Sequence, residues 1–282
     1  MTVAELPLEE VTGPSALGGG WRRFVRLTWL VATTDFKLTY FGSVLGYFWS
    51  LLQPLLFFGV LYLMFDIVLQ LGKETPNFPV ILLMNIVLFT FFQTATAASI
   101  PSVVVREGLV RKMHFPRLVI PVATAVTSSF NLCLNLIVVL GFMIVYGVEP
   151  RLTWFLLLPL LGLLFAFSAG IAMLLSSLYV RYRDVAQIWG VIIQALFYAS
   201  PVFILIENIE KRAPQVTRYY LFNPIAAILQ QARHWMVGGT PGISTFMGGA
   251  VWVLAPFAIL VGTCILGFWV FSREAPGIAE EL

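Results

Sequence analysis

The sequence predicts an all-α integral membrane protein with six transmembrane helices, and three observations support this prediction. The 282 residues are 59% hydrophobic and only 11% charged, whereas soluble domains are about one quarter charged. Six stretches contain no Asp, Glu, Lys or Arg, and each provides the roughly 20 residues that a helix needs to cross a bilayer. These stretches are residues 38–65, 75–105, 118–148, 152–180, 185–206 and 234–272. They are continuously apolar rather than alternating, which favours helices over the strands of a membrane barrel.

The positions of Lys and Arg predict which side of the membrane each loop occupies. Six spans place both termini on the same side. When that side is the cytosol, the inner segments hold more of the 17 basic residues than the outer ones, as the positive-inside rule requires. We therefore expect a multi-pass protein of the cytoplasmic (inner) membrane, with residues 1–20 and 273–282 as cytosolic tails. This loop asymmetry accounts for the net charge of +3 without a nucleic-acid partner.

Residues 21–41 precede the first span and predict an amphipathic helix that lies on the inner membrane surface. At about 100° per residue, their side chains separate into a basic face and an apolar face. The basic face includes Arg22, Arg26 and Lys37, and the apolar face includes Trp21, Trp29 and Phe36. Asp35 projects to the apolar side, where an unpaired carboxylate is costly to bury. We expect it to form an ion pair with a neighbouring basic group, in preference to a role in transport.

The six spans are expected within residues 42–272, at 43–69, 79–100, 118–148, 154–178, 185–206 and 246–272. The first contains Pro54, which favours a kink, and Asp66 near its outer end. A carboxylate at membrane depth is a functional candidate, although one near the interface can also reach water. The third contains Asn131 and Asn135, which share a face. We expect them to hydrogen-bond to another helix rather than to a substrate.

The inner loop between the second and third spans predicts a docking site for a soluble partner. Residues 102–115 are expected to form a short helix, because prolines flank them. Val105, Leu109 and Met113 recur at four-residue intervals on one side, with basic residues at the rim, which suits a groove on another protein. The alternative, a loop held at anionic lipid by its charges, fits these residues equally well.

The outer loop at 207–240 is long for a simple connection, and long loops are more often functional than filler. It contains a predicted amphipathic helix that begins at Asn223-Pro224, because Asn is a favourable N-cap and Pro a favourable first helical residue. We expect this helix at the outer mouth of whatever path the spans enclose.

No catalytic or metal-binding site is evident in the sequence. A Walker A loop requires Gly, four residues, Gly, Lys and then Ser or Thr, and the chain has no such segment. His114 and His234 have no second ligand beside them at metal-binding spacing. The chain is therefore expected to have no enzymatic activity and to hold no metal or cofactor of its own.

Four segments carry recognisable motifs. They are residues 37–49 (KLTYFGSVLGYFW) with Pro54, residues 109–121 (LVRKMHFPRLVIP), Arg183-Asp184, and Asn223-Pro224 with Arg233. In that order they resemble the interface helix and first span, the L-I-x-K-x-x-F-P-R-x-x-L-P segment, the inner R-D pair and the outer N-P segment of ABC-2-type permeases, particularly the polysaccharide, O-antigen and teichoic acid exporters. The resemblance extends over about residues 20–272. Val105 and Gly108 depart from the family pattern, in which Glu and Asn are common at these positions.

The resemblance implies the six-helix architecture of an ABC-2 (type V exporter) permease, in which two copies of the chain form the channel as a homodimer. Two separate ABC ATPase subunits would bind ATP and Mg and drive the channel from the cytosol. The residues implied to couple to the ATPase are Val105, Leu109, Arg111, Lys112, Met113, Phe115 and Arg117. The implied interface helix carries Trp21, Arg22, Arg26, Trp29, Asp35 and Lys37, the inner turn Arg183 and Asp184, and the outer gate Asn223, Pro224 and Arg233.

The resemblance also implies that spans 1 and 5 face the channel. The candidate channel aromatics on them are Tyr47, Trp49, Phe58, Tyr62, Phe65, Phe197 and Tyr198. Flat apolar rings stack on the C–H faces of sugars and permit sliding, whereas dense charge would hold the polymer in place. Packing or lipid contact is the alternative role for any single ring.

The leading hypothesis is the transmembrane subunit of an ABC exporter that moves a lipid-linked polysaccharide, of the O-antigen, galactan or teichoic-acid type, across the cytoplasmic membrane. The expected substrate is a polyprenyl-diphosphate-linked glycan, and membrane lipid surrounds the spans. One alternative is an ABC-2 exporter of drugs or lipids. Another is an ATP-independent carrier or scaffold. Secondary carriers usually place ionisable residues in mid-membrane, and the second to sixth uncharged stretches contain none.

Overall fold

The computed structural model describes residues 20–41, 46–70, 75–108 and 116–275, and all regular structure within these ranges is helical. The helices are α1 (Trp21–Tyr40), α2 (Phe48–Tyr62), α3 (Phe78–Ser99), α4 (Ser102–Val105), α5 (Val119–Val145), α6 (Leu157–Arg181), α7 (Val185–Tyr198), α8 (Ile206–Arg212), α9 (Pro214–Tyr220), α10 (Pro224–Met236), α11 (Ile243–Met247) and α12 (Leu254–Glu274). A π-helix over Leu63–Val68 extends α2, and 3₁₀ turns over Leu152–Leu156 and Ala250–Val253 precede α6 and α12.

Five helical segments among the described residues are long and apolar enough to cross a membrane, and they correspond to predicted spans 1, 2, 3, 4 and 6. The all-α membrane fold is therefore confirmed. The sixth span begins at Val251 and becomes α-helical at Leu254, so the predicted start at residue 246 is wrong. Gly248 and Gly249 have φ angles of 76° and 138°, a conformation that glycine adopts without strain. They end the short helix α11 and separate it from α12.

The predicted fifth span, 185–206, is wrong in length. α7 has 14 residues and extends about 21 Å, less than the roughly 30 Å of hydrocarbon. Pro201 disfavours helical backbone at the residue before it. The chain continues as the mostly buried, non-helical segment 199–205, and Asn85 of α3 donates to the carbonyl oxygens of Pro201 (2.8 Å) and Val202 (3.2 Å). Irregular backbone is tolerated at membrane depth where the protein satisfies its polar groups.

Pro54 lies inside α2, as predicted, and a residue of α5 supplies the backbone hydrogen bond that the proline removes. A proline has no N–H, so the carbonyl group four residues earlier, that of Ser50, loses its helical donor. Asn135 of α5 donates to the Ser50 carbonyl oxygen at 3.2 Å, and Asn131 accepts a bond of 2.6 Å from the Tyr40 hydroxyl of α1. The prediction that both asparagines bond to another helix is confirmed.

α3 is the central helix of the fold. Every residue from Phe78 to Phe89 is buried, and the helix packs against α2, α5, α6 and α7. In its C-terminal half, Phe92 stacks on Phe167 of α6 with 5.5 Å between ring centroids. Thr96 accepts a hydrogen bond of 3.1 Å from the indole N–H of Trp189 on α7. α1 lies outside this bundle and packs along α5.

α6 and α12 approach each other closely through two glycines. A β-carbon placed on Gly267 of α12 lies 2.0 Å from the carbonyl oxygen of Gly170 on α6. One placed on Gly170 lies 2.9 Å from the Cα atom of Cys264, whose thiol donates to the Ala166 carbonyl oxygen at 3.2 Å. Small residues allow such backbone contact between membrane helices.

We expect Gly267→Ala to lower the stability by about 1–3 kcal/mol, because its methyl group meets backbone and the two helices must separate. Gly262→Ala is the matched control, since no atom lies within 4 Å of a β-carbon at that position of the same helix. The thermal unfolding midpoints of the two variants in detergent measure the effect. Equal midpoints would contradict this account of the α6–α12 contact.

Candidate functional site

The segment predicted as the interface helix, 21–41, is helical from Trp21 to Tyr40, one residue short of the predicted end. Its apolar side divides into two strips. Phe24, Thr28 and Ala32 are buried on the side that packs along α5, whereas Trp21 and Trp29 are 72% and 59% exposed. The basic side chains of Arg22, Arg26 and Lys37 are exposed as well. The exposed tryptophans and basic groups suit the headgroup region of a membrane.

Asp35 forms an ion pair with Arg106, the residue that follows α4. The side chains of Arg106 and Asp35 are 20% and 27% exposed, so the pair is largely shielded from water. The sequence predicted an ion pair for Asp35, and the structure identifies the partner. This bond ties the interface helix α1 to the start of the predicted coupling segment.

The predicted coupling segment is described only in part. α4 ends at Val105, which is 77% exposed, and Arg106 adopts non-helical angles of φ −100° and ψ 26°. The continuous helix predicted from residue 102 is therefore wrong at this point. The positive ψ of Arg106, whose side chain pairs with Asp35, takes the backbone out of the helical region at this residue. The other five predicted residues on this segment, Leu109, Arg111, Lys112, Met113 and Phe115, lie outside the described residues.

Arg117, the last predicted coupling residue, is only 4% exposed. Its Nε and Nη1 atoms have no hydrogen-bond partner within the described part of the chain. Burial lowers the pKa of its guanidinium group, because a charged group loses hydration energy in the interior. Arg117 lies two residues before the start of α5.

The inner turn between α6 and α7 exposes both Arg183 and Asp184. The Arg183 guanidinium lies over the ring of Tyr179, 5.0 Å from its centroid. Asp184 occupies the N-cap position of α7, and its carbonyl oxygen accepts a bond of 3.0 Å from the Ile188 N–H. A carboxylate at a helix N-terminus interacts favourably with the helix dipole.

The candidate aromatics at the start of α2 lie at its junction with α1. Tyr47 stacks on Phe36 at 5.3 Å and contacts Tyr40 at 4.9 Å between ring centroids. Trp49, two residues later, is 47% exposed. Tyr47 therefore connects the interface helix with the first span.

The candidate aromatics at the outer ends of spans 1 and 5 meet through Phe203. Phe65 stacks on Phe203 at 4.4 Å, and Phe197 and Tyr198 contact the same ring at 5.8 and 6.0 Å. Sequence reasoning did not identify Phe203, because it placed this residue inside a regular helix. The non-helical backbone after Tyr198 turns the Phe203 ring towards α2.

Two of the candidate aromatics on α2 face the protein interior. Phe58 is 8% exposed, stacks on Tyr62 at 5.6 Å and meets Phe142 of α5 edge-on at 5.5 Å. The candidate channel aromatics Tyr47, Phe58, Tyr62 and Phe65 of span 1 therefore do not share one surface. Phe58 packs the α2–α5 contact, whereas Phe65 contacts Phe203.

The predicted outer segment begins as expected. The Asn223 side-chain oxygen accepts a bond of 3.0 Å from the Ile225 N–H, with Pro224 as the first residue of α10. The Asn223 amide also donates to the Ser200 hydroxyl at 3.1 Å. α10 is therefore bonded directly to the non-helical segment after α7.

Arg233 is buried, with 3% of its side chain exposed, and forms a bidentate ion pair with Glu207 of α8 at 2.6 and 2.9 Å. Sequence reasoning missed Glu207. A basic residue on the buried side of an amphipathic helix requires an acidic partner, and Glu207 opens the same loop. The ion pair joins α8 to α10 across the outer loop.

The chain is similar to a known family of membrane proteins and to individual members of known function. Residues 26–237 match the family described as ABC-2 type transporter. The O-antigen export system permease protein RfbA of Klebsiella pneumoniae is 27% identical over 212 residues, which cover 75% of this chain and 80% of that protein. The protein of the same description from Myxococcus xanthus is 28% identical, with 69% and 74% covered. The polysialic acid transport protein KpsM of Escherichia coli is 25% identical, with 71% and 78% covered.

We expect Arg106→Ala to lower the stability by about 1–2 kcal/mol, because it leaves the largely shielded Asp35 carboxylate without its partner. Exchanging the charges, with Asp35→Arg and Arg106→Asp together, should restore most of the loss. Arg22→Ala on the exposed face of α1 is the control. Thermal unfolding in detergent measures all three variants. An exchange variant that is no more stable than Arg106→Ala would show that the ion pair does not stabilise this contact.

Proposed function

The chain belongs to the ABC-2 type transporter family, and on that premise we propose that it is the membrane subunit of an ABC exporter for a lipid-linked polysaccharide. The cargo is a polyprenyl-diphosphate-linked glycan of the O-antigen, galactan or teichoic-acid type, which the complex moves across the cytoplasmic membrane. The observation that carries the proposal is the family match together with relatives that are named for export of O-antigen or transport of polysialic acid.

The energy for export comes from a separate ATPase. The proposed assembly contains two copies of this chain and two ABC ATPase subunits, which bind ATP and Mg in the cytosol, while this chain contributes no catalytic site. The exposed apolar surface of α2, with residues such as Leu56 and Val60 at 57% and 66% exposure, supports a second copy beside it. Both termini and the segment 102–115 lie on the cytosolic side of the inner membrane.

The contacts of α1 support a mechanical connection between the ATPase and the transport path. The coupling segment 102–115 rests on the ATPase, and the Asp35–Arg106 ion pair joins it to α1. Tyr40 and Tyr47, 4.9 Å apart between ring centroids, join α1 to α2. When ATP closes the ATPase dimer, the coupling segment and α1 move together, and α2 moves with them. This displacement opens the path between the two copies.

The aromatic side chains of α2 and α7 support a carbohydrate cargo. Phe65, Phe197, Tyr198 and Phe203 form one group of rings at the outer ends of these helices. Aromatic faces bind the apolar C–H faces of sugar rings without fixing any one residue of a polymer. Such rings therefore permit stepwise movement of a long glycan.

Deleting the gene tests the proposed cargo. We expect surface glycan to be lost and glycan lipid to accumulate in the cytosolic leaflet, measured by surface labelling and by extraction of lipid-linked glycan. The wild-type gene on a plasmid should reverse both effects. Unchanged surface glycan would reject the proposal, and increased drug sensitivity with normal surface glycan would favour a drug or lipid exporter instead.

Replacing Leu109 and Met113 by Asp tests the ATPase contact, because charged side chains would disrupt an apolar docking surface. We expect transport-coupled ATP hydrolysis to be abolished while membrane insertion is unchanged. Leu152→Asp is the control, since Leu152 is 87% exposed at the opposite, outer end of the fold. A fully active double variant would contradict docking at this segment, and failure to recover any ATPase with the tagged chain in mild detergent would favour an ATP-independent carrier.

A further inference from the structure

The glutamines of the membrane helices are unevenly distributed. Among the described residues of these helices there are four, Gln53 on α2, Gln93 on α3, and Gln187 and Gln194 on α7, and all four are exposed. α5, α6 and α12 carry none. An amide that faces hydrocarbon loses its hydrogen bonds to water, so polar side chains in membrane helices usually face a cavity or a partner. The exposed glutamines therefore mark one side of the protein as different from its lipid-facing sides.

Three phenylalanines mark the place where α2, α3 and α7 meet. The ring of Phe197 on α7 lies 5.6 Å from the ring of Phe57 on α2 and 5.2 Å from the ring of Phe89 on α3, measured between centroids. Neither Phe57 nor Phe89 was among the candidates identified from the sequence. These contacts fix which face of each helix points towards the other two.

Each of the three helices carries a glutamine about one turn from this junction, on the cytosolic side. α2 and α7 run outwards, and Gln53 and Gln194 precede Phe57 and Phe197 by four and three residues. α3 runs inwards, and Gln93 follows Phe89 by four residues. Residues three or four apart lie on the same face of a helix. Each amide therefore lies on the same helix face as its phenylalanine, about one turn closer to the cytosol.

We propose that Gln53, Gln93 and Gln194, the glutamine triad, form a subsite for the carbohydrate as it enters the path from the cytosol. This inference rests on the proposed function. Each amide offers two N–H donors and a carbonyl acceptor, which match the hydroxyl groups of a sugar. The Phe57 ring, which is 42% exposed, lies one turn beyond the amides and offers an apolar face to the same sugar ring, with Phe197 and the buried Phe89 packed behind it. The amides bind the hydroxyl groups of a pyranose, and the ring binds its apolar C–H face.

The chemistry of the triad favours the neutral sugars over the diphosphate of the lipid carrier. Sites for phosphate groups generally use Arg, Lys or backbone N–H groups, because a charged acceptor requires strong donors. The triad consists of three neutral amides. Exposed threonine and alanine residues of α3, Thr94 and Ala97, lie beside Gln93 and add a hydroxyl group and open space. The subsite is thus suited to a hydroxylated, uncharged part of the cargo.

Cysteine labelling of the assembled complex tests whether the triad faces water. In a background with Cys133→Ser and Cys264→Ala, single substitutions Gln53→Cys, Gln93→Cys and Gln194→Cys are treated with a water-soluble maleimide in inside-out vesicles. The control is Ile265→Cys, which is 64% exposed on the opposite side of α12 from its packed face. We expect the triad positions to react at least about tenfold faster than the control, because a thiol in hydrocarbon is not reached by the reagent. Equal rates would overturn the proposal.

Protection by cargo tests whether the water-filled face binds carbohydrate. The probe is the strain's own lipid-linked glycan, added to the complex that contains both the permease and its ATPase. We expect labelling of Gln93→Cys to slow about fivefold when the glycan occupies the subsite, as partial occupancy of a site would produce. If the glycan does not slow labelling in a complex that still exports it, the subsite proposal is wrong. The proposed function would remain intact. Loss of the function itself is recognised separately by the deletion experiment.

The same variants distinguish a second copy from the cargo. If the triad were packed in a dry contact between two permeases and did not line the path between them, oxidation would join two copies of Gln53→Cys or Gln194→Cys at high yield while the same thiols failed to react with the water-soluble maleimide. That pair of results would overturn the proposal. A further set replaces all three glutamines by Leu or by Asn. We expect the Leu variant to reduce surface glycan about tenfold or more and the Asn variant to recover part of the loss, since it retains the amides. Full export by the Leu variant would also overturn it.

Discussion

The arrangement of the spans depends on a constraint that hydrocarbon imposes: backbone polar groups must find their partners inside the protein. Two prolines break the regular pattern of helix bonds, and asparagines from neighbouring helices compensate for both. Asn135 bonds to the Ser50 carbonyl oxygen that Pro54 leaves without a helical donor. Asn85 bonds to the carbonyl oxygens at Pro201 and Val202, where the fifth span stops being helical. These bonds join α2 to α5 and the segment after α7 to α3.

The same constraint gives the outer region its form. The segment after α7 has no helix to satisfy it, so it is covered by α3 on one side and by α10 on the other, through Asn223 and Ser200. α10 is held in turn by the buried ion pair of Arg233 with Glu207. The segment after α7 is therefore bonded to α10, and through α10 to α8. The Asp35–Arg106 ion pair and the contact of Tyr40 with Tyr47 connect α1 to the residue after α4 and to the start of α2.

The two sides of the bundle differ in the side chains that they expose. α6 and α12 meet through glycines so close that no β-carbon fits at Gly267, and the outward surface of α12 is apolar, as at Ile265 and Trp269. α2, α3 and α7 instead expose amides next to a group of aromatic rings. Lipid is the natural neighbour of the first side. The second side has the mixture of neutral hydrogen-bonding groups and rings that a hydroxylated polymer needs.

The sequence by itself determined the features that depend on local patterns. The length of the hydrophobic stretches predicted the membrane class and most of the spans. The separation of basic and apolar side chains predicted α1 to within one residue of its end, and Asn223 followed by Pro224 predicted the start of α10. Only the tertiary structure decided which groups meet. It paired Asp35 with Arg106 and Arg233 with Glu207, turned Phe58 inwards and Phe203 towards Phe65, and ended α7 at Tyr198. The physical reason is that periodicity along one helix describes that helix's own faces, whereas the partner of each face is chosen by packing and by hydrogen bonds between residues far apart in the chain.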